Sequence, residues 1–454
     1  MKLSFHGAAN EVTGSCHMVS CNDANGVERR ILIDCGMFQG ERMCGDKNLL
    51  PFGFDPTTID AVFVTHPHAD HTGRLPKLIS EGYAGPITMT EPCMALTRIV
   101  LDDAHHIMTE NAEKCGDKVL YEKEDLDVLQ ARMTGIGYHQ EVMVAPGVRV
   151  MLHDAGHVLG SAFVSIEAEG KKVVFSGDIG NEHVPILPDT EAISHADIVV
   201  CESTYGNRVH EPPTERARLL REAVEMTIKA GGVLMIPSFS IERTQELLYE
   251  IDIMLRSFKT TIPMYLDSPM AIRATEVYRH FKTYLRFDTP ILSEDDRDFF
   301  SFPNLHETLR VDESKAINDV PAPKVIIAGS GMMSGGRIMH HLIKYLPDPN
   351  SLLLVIGYQA EGTLGRRIVD GAKEVHIFGK TVQVNAQLAK IGSFSAHGDM
   401  NKLTKWLQPE TGGVPKKVFL VHGDPEAKEL FAAHLRGTLN TEIIIPEFQS
   451  SHEV

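Results

Sequence analysis

The chain has 454 residues, with 44 Lys and Arg against 61 Asp and Glu and a formal net charge of −17. That length exceeds one ordinary domain of about 100 to 200 residues, so two domains or one large α/β unit are expected, and the negative balance argues against non-specific binding to a polyanion. With 43% apolar and 23% charged residues, the composition excludes a disordered, collagenous or coiled-coil chain, and no apolar run approaches the ~18 residues that span a bilayer.

In chain order, residues 1–7 lack the apolar core of a secretory signal, which makes the cytoplasm the expected location. Short runs of Val, Ile and Leu then end repeatedly in a Gly, Asp, His or Ser cluster, at 31–34, 61–66, 173–178, 198–202 and 418–422. Such runs read as buried strands that feed functional loops. Between 207 and 395 the rhythm changes to an alternation of strand and helix. Thr214 is the expected cap of a helix ended by Gly231-Gly232. A strand is predicted at 233–236, a helix at 241–255, a strand at 264–266, a helix at 271–284, and further strands at 325–328 and 352–356. This alternation predicts a doubly wound parallel sheet, inserted between 1–206 and 396–454, whose denser strands suit a sheet sandwich covered by helices. The 207–395 segment holds 23 basic and 23 acidic residues, so the whole acidic excess lies outside it. Seven cysteines without a C-x-x-C pair predict reduced thiols, whereas 22 histidines point to metal or proton chemistry.

The sharpest feature is His66-Pro67-His68-Ala69-Asp70-His71, four candidate ligands directly after a predicted strand. A loop leaving a strand can turn His66 and His68 toward one point and Asp70 and His71 toward a second. Imidazole and carboxylate donors suit zinc, with manganese or iron as alternatives, and two metals suit the hydrolysis of an ester. A solvated turn explains four such residues poorly, because uncompensated buried polar groups cost ~1 to 3 kcal/mol each. His157 in a Gly-flanked turn, Asp178 with two oxygens able to bridge cations, and His422 are the expected remaining ligands.

These motifs, together with Asp34, Glu202 and His397, resemble the αββα metallo-β-lactamase fold and, within it, the β-CASP branch of nucleases, close to prokaryotic relatives of the 73 kDa pre-mRNA cleavage endonuclease. The resemblance implies one zinc at His66, His68 and His157, a second at Asp70, His71 and His422, and Asp178 bridging both. It implies that Asp34 orients ligands, that a bridging water attacks phosphorus, and that His397, supported by Glu202, protonates the leaving oxygen. It also implies single-stranded RNA as substrate, since His422 stands where RNA-directed members carry His, with weak action on single-stranded DNA compatible with it. The cut would fall in a cleft between the two domains, in endonuclease or 5′ exonuclease mode, and a homodimer is the family expectation. Hydrolysis of a small ester or thioester, and a non-catalytic role in an RNA-processing complex, are the competing readings. The insert, Glu202 and His397 have no obvious use in the first, and no ligand is missing as the second would require.

A glycine-rich stretch, 329–337, follows the predicted strand at 325–328 and precedes a predicted helix at 338–345. Its glycines and the helix N-terminus suit an anion, so Ser330, Gly331, Ser334 and Gly335 are candidate phosphate contacts, with Ser395 beside His397 as a fifth. A dinucleotide loop and a plain strand-to-helix turn are the alternatives. The spacing departs from G-x-G-x-x-G, and no Gly-Lys-Ser/Thr follows. Arg366 and Arg367, within 357–367, are weaker phosphate candidates.

Overall fold

The structure is a computed structural model, and it describes all residues except 40–45, 116–117, 183, 211–214, 287–297, 358, 360–361 and 410. Thr214, Cys44 and part of the 357–367 stretch therefore lie outside the described residues. The chain divides into two compact units, one of residues 1–182, 187–209 and 397–454, the other of 183–186 and 210–396.

The first unit is built on two seven-stranded sheets. In one, the order is Ser451–Glu453, Lys2–Gly7, Cys16–Asn22, Glu28–Ile33, Ala61–Phe63, Ile87–Thr90 and Met133–Ile136. In the other it is Glu442–Ile444, Lys417–Val421, Ile198–Glu202, Lys171–Phe175, Ala162–Ala168, Val148–Asp154 and Val142–Ala145. Alternation along each strand explains the layering. Ile31 and Ile33 point inward to meet Val150, Val164, Phe175 and Phe419 of the facing sheet. Leu32, between them, faces outward with Val62 toward Leu78, Leu101 and Leu126 of covering helices. On the far side, Val199 and Leu420 pack with Leu403 and Trp406 of helix Met400–Trp406 and with Phe431 and Leu435 of helix Pro425–Thr438. The result is the αββα sandwich expected from the sequence.

The second unit carries a six-stranded sheet in the order Leu305–Glu307, Met264–Asp267, Lys324–Ala328, Val233–Pro237, Leu352–Val355 and Gln387–Lys390, and every pairing is parallel. Helices Arg216–Ala230, Arg243–Ser257, Pro269–His280 and Ile338–Tyr345 alternate with its strands. The first stops at Gly231, whose φ of 67° is the left-handed cap a Gly-Gly pair supplies cheaply. The predicted helix over 271–284 is shorter, because Pro269 starts it earlier and a separate turn, Lys282–Tyr284, follows its end.

Cys16, Cys21, Cys35, Cys93 and Cys201 are buried and free. No helix among the described residues is long and apolar enough to cross a membrane.

Candidate metal centre

The sandwich brings the sequence-predicted donors together, most of them at the C-terminal ends of neighbouring parallel strands, while His157 follows the antiparallel strand Val148–Asp154. Asp34 follows Glu28–Ile33 and His66 follows Ala61–Phe63 in one sheet, and these strands pair in parallel. In the other sheet, Asp178 follows Lys171–Phe175, Glu202 closes Ile198–Glu202, and His422 follows Lys417–Val421, again with parallel pairing. Parallel strands end together, so residues far apart in sequence share one edge.

The turns that aim these side chains are strained or glycine-dependent. Asp34 and His422 hold φ values of 61° and 49°, a left-handed geometry that costs a non-glycine residue on the order of 1 kcal/mol or more and persists only where the surroundings enforce it. His68 precedes the short helix Ala69–Thr72, which carries Asp70 and His71. That helix is tied down by backbone bonds from Ser15 to Asp70 (2.8 Å), Cys35 to His71 (2.9 Å) and Met37 to Ala69 (2.8 Å). Gly36 runs so close that a β-carbon there would lie 1.5 Å from the Asp70 carbonyl oxygen. His157 is aimed by a turn in which Ser161 Oγ accepts the backbone N–H groups of His157 (3.0 Å) and Val158 (3.1 Å).

Two groups of donor atoms converge, each within 4.8 Å: His66, His68, His157 and Asp178 in one, and Asp70, His71 and His422 in the other. Asp178 joins them. Its Oδ2 lies 3.3 Å from His66 Nε2 and 3.5 Å from His157 Nε2, while its Oδ1 lies 3.4 Å from His71 Nε2 and 3.6 Å from His422 Nε2. His422 Nε2 is also 3.4 Å from Asp70 Oδ2, and His157 Nε2 is 3.3 Å from His68 Nδ1. Two ligands each ~2.1 Å from a tetrahedral ion sit ~3.4 Å apart, which is this spacing. His66 Nε2, Asp178 Oδ1 and His422 Nε2 are buried and have no hydrogen-bond partner, a costly state for polar atoms unless they serve a ligand. The residues present therefore fit divalent cations.

The opposite edges of the imidazoles fix which nitrogen faces the centre. Asp34 Oδ2 accepts from His71 Nδ1 (2.7 Å) and from Thr65 Oγ1 (2.8 Å). With its hydroxyl proton committed to Asp34, Thr65 Oγ1 accepts from His66 Nδ1 at 3.0 Å. Thr204 repeats the device: its hydroxyl donates to the His422 carbonyl (3.1 Å) and so accepts from His422 Nδ1 (3.0 Å). In each ring the proton is held at Nδ1 and Nε2 presents a lone pair. Asp34 was expected as an orienting carboxylate. Thr65, Ser161 and Thr204 lay outside the sequence reading, and the only signal for the two threonines is their adjacency to His66 and to the Glu202 motif.

Burial pulls His66 down to about 3 and His68 to about 4, and holds His157 well below the usual imidazole range. These rings are neutral, as ligands must be. Burial also disfavours charge on His71 and His422, but for His71 the carboxylates of Asp178 and Asp34, and for His422 those of Asp178 and Asp70, more than offset it, so both are raised. A cation there competes with protons. For Asp178, burial opposes ionisation, yet His422 and His71 hold it well below the carboxylate range.

Beside this cluster, His397 Nδ1 lies 3.2 Å from both oxygens of the fully buried Glu202 and 3.9 Å from Asp178 Oδ2. Glu202 is itself pinned, accepting the Ile179 N–H at 2.7 Å. Burial alone would lower the His397 pKa, but the carboxylates of Glu202 and Asp178 raise it to about 9. At neutral pH its two ring nitrogens both carry protons.

The phosphate candidates belong to the second unit and not to the ligand cluster. Ser330, Gly331, Ser334 and Gly335 lie between strand Lys324–Ala328 and helix Ile338–Tyr345, and Ser395 follows the turn Gly392–Phe394. The loop is largely closed on itself: Ser330 N–H bonds the Gly335 carbonyl (3.3 Å), Met333 N–H the Ser330 carbonyl (3.1 Å) and Ser334 N–H the Ser330 hydroxyl (3.1 Å). Arg366 is engaged with Asp370 at 2.9 Å.

An αββα sandwich with seven His and Asp donors at its strand ends defines a metal-dependent hydrolase fold. Comparison with known proteins narrows it. Residues 14–237 match the metallo-β-lactamase superfamily, 244–368 the Beta-Casp domain, and 381–446 the Zn-dependent metallo-hydrolase RNA specificity domain. The chain is 39% identical over 448 residues to "Ribonuclease TTHA0252" of Thermus thermophilus, covering 99% of each. It is 33% identical over 449 residues to "RNase J-like protein" of Methanocaldococcus jannaschii, covering 98% of this chain and 97% of that one. It is 34% identical to "Transcription termination factor FttA" of Methanosarcina mazei over 94% of this chain and 67% of that one. A solved structure of a protein of unknown function from Enterococcus faecalis superposes over 99% of each chain with a TM-score of 0.55 at 12% identity, a likeness of fold. The chain belongs to the β-CASP branch of the metallo-β-lactamase superfamily, a family that implies divalent-metal binding.

Proposed function

We propose that the protein is a metal-dependent ribonuclease that hydrolyses phosphodiester bonds of single-stranded RNA. The observation that carries this reading is the two-sided Asp178, whose oxygens each face a separate set of donors. In this reading His66, His68 and His157 would hold one zinc ion and Asp70, His71 and His422 a second, and Asp178 would serve both. Bound there, the cations would supply positive charge to the phosphodiester oxygens and lower the pKa of water in the site.

The chain's own groups do the rest. Asp34, Thr65 and Thr204 hold protons on the outer edges of His71, His66 and His422 and so keep Nε2 directed inward. Glu202 holds the His397 Nδ1 proton, which favours the imidazolium and leaves Nε2–H as the donor to the departing oxygen. The RNA specificity and Beta-Casp matches, and relatives named as ribonucleases, support RNA over a small ester. Phosphate contacts by Ser330, Gly331, Ser334, Gly335 and Ser395, cytoplasmic residence and a homodimer belong to the same reading.

The test is a denaturing-gel time course on a 5′-labelled RNA and the DNA of the same sequence, with added Zn²⁺ or Mn²⁺. RNA cleavage by wild type that falls by roughly 10³-fold or more in His68→Ala is expected. Internal fragments identify an endonuclease, and immediate release of labelled mononucleotide a 5′ exonuclease. No cleavage of RNA by metal-loaded wild type would overturn the assignment.

A further inference from the structure

A second convergence of metal-type donors lies elsewhere in the first unit. His139, His153 and Glu191 place donor atoms within 4.8 Å of one another beside a cavity of about 150 Å³, also lined by Phe163, Ser165 and His195. They come from three separate segments: the turn after strand Met133–Ile136, the strand Val148–Asp154, and the connection that precedes strand Ile198–Glu202.

His153 and Glu191 are each held in place by groups outside the trio. The His153 ring stacks on Phe163 with centroids 4.6 Å apart and planes 11° from parallel, and its Nε2 bonds Ser165 Oγ at 3.0 Å. Its Nδ1 is thereby turned toward Glu191 Oε2, 3.7 Å away, beyond hydrogen-bond length. Glu191 is fixed at both ends of its backbone, its N–H bonding the Asp154 carbonyl (3.0 Å) and its carbonyl accepting from Trp406 Nε1 (3.0 Å). His139 Nε2 meets the Glu191 oxygens at 2.8 and 3.0 Å from a backbone whose φ is 62°.

A surface His–carboxylate pair contributes about 0 to 1 kcal/mol, which does not offset the left-handed backbone of a non-glycine residue such as His139. We propose that His139, His153 and Glu191 form a third divalent-metal site, separate from the strand-end centre, that takes a borderline transition ion such as Zn²⁺. Two imidazoles and one carboxylate are the donors such ions prefer, whereas Ca²⁺ and Mg²⁺ require mostly oxygen.

The role is structural. Thr190 Oγ1 bonds the Ala155 carbonyl (2.9 Å) and Glu191 N–H the Asp154 carbonyl, so the segment that supplies Glu191 braces the start of the turn bearing His157. An ion at Glu191 cross-links that brace to two other segments.

The experiment compares wild type with His139→Ala and Glu191→Gln, each dialysed against the same buffered Zn²⁺ and analysed for metal per chain, with a parallel Co²⁺ titration followed by visible absorption. His139 is exposed and Glu191→Gln is isosteric, so both variants should fold, and circular dichroism checks this. Wild type is expected to hold one more equivalent than either variant, with an added set of Co²⁺ bands. Equal metal content and identical Co²⁺ spectra in the three proteins would overturn the third site.

Discussion

At the scale of single residues, the centre depends on hydroxyls and carboxylates that never face its middle. Asp34 accepts from His71 and, through Thr65, sets the proton on His66. Asp34→Ala removes both constraints at once, and metal affinity measured by chelator competition should fall ~10- to 100-fold, with Thr65→Val falling less. Glu202 acts differently, since it touches His397 and no ligand nitrogen at hydrogen-bond distance. Glu202→Gln should therefore keep its metal yet lose ~10²- to 10⁴-fold in kcat, and adding His397→Ala should cost little more because the two act as one unit. Loss of metal in Glu202→Gln would argue that the residue serves the metal centre instead. The candidate donors were legible in the sequence because four of them stand within six residues, Asp178 and His422 end apolar runs, and His157 stands in a Gly-flanked turn. The threonines were not, because whether a hydroxyl donates backward to Asp34 or outward to water depends on the folded turn.

At the scale of elements, alternation of strand and helix between 233 and 356 was legible from apolar runs and their punctuation. Edge strands Leu305–Glu307 and Gln387–Lys390 were not, since an edge strand has one unpaired side and largely exposed residues and so carries no apolar run. Close backbone approach is likewise invisible in a sequence, and Gly36 shows its weight. Its missing side chain lets residues 35–37 lie against helix Ala69–Thr72. Gly36→Ala must push Asp70 and His71 away, so we expect a loss of about 2 kcal/mol or more in stability together with weaker metal binding, read by calorimetry and metal analysis. Unchanged metal content would show that the motif's position tolerates the shift. In helix Arg243–Ser257, burial and the nearby Glu246 carboxylate raise the Glu250 pKa from 4.5 to about 7. The sign follows from proton binding: the folded state holds a proton that the unfolded state has already released, so the contribution is complete below about pH 4.5 and is lost as pH rises through 7. Glu250 is only half-buried, which limits the effect to about 1 kcal/mol. Glu250→Gln should therefore lose less stability than wild type between pH 5 and pH 8, and parallel melting curves across that range would exclude this assignment.

At the scale of the whole molecule, the two units differ in charge and in what holds them together. Each closes its own apolar core, one between and around two sheets and the other around Val233, Ile326 and Leu353 of the parallel sheet. Every candidate ligand, including His139, His153 and Glu191, belongs to the first unit. The acidic excess read from the sequence also falls outside 207–395, and the carboxylates of the candidate metal centre account for part of it. A cation that binds only the folded state stabilises it by RT ln(1 + [L]/Kd), about 4 kcal/mol at a thousandfold excess over Kd. For a unit of this size that corresponds to roughly 10 °C in Tm. Calorimetry with and without a strong chelator should accordingly show two transitions, of which one drops by about that amount while the other stays. The stationary transition should be the one that Glu250→Gln alters. A single transition that moves as a whole would mean that the two cores unfold as one cooperative body, and the metal then stabilises the entire chain.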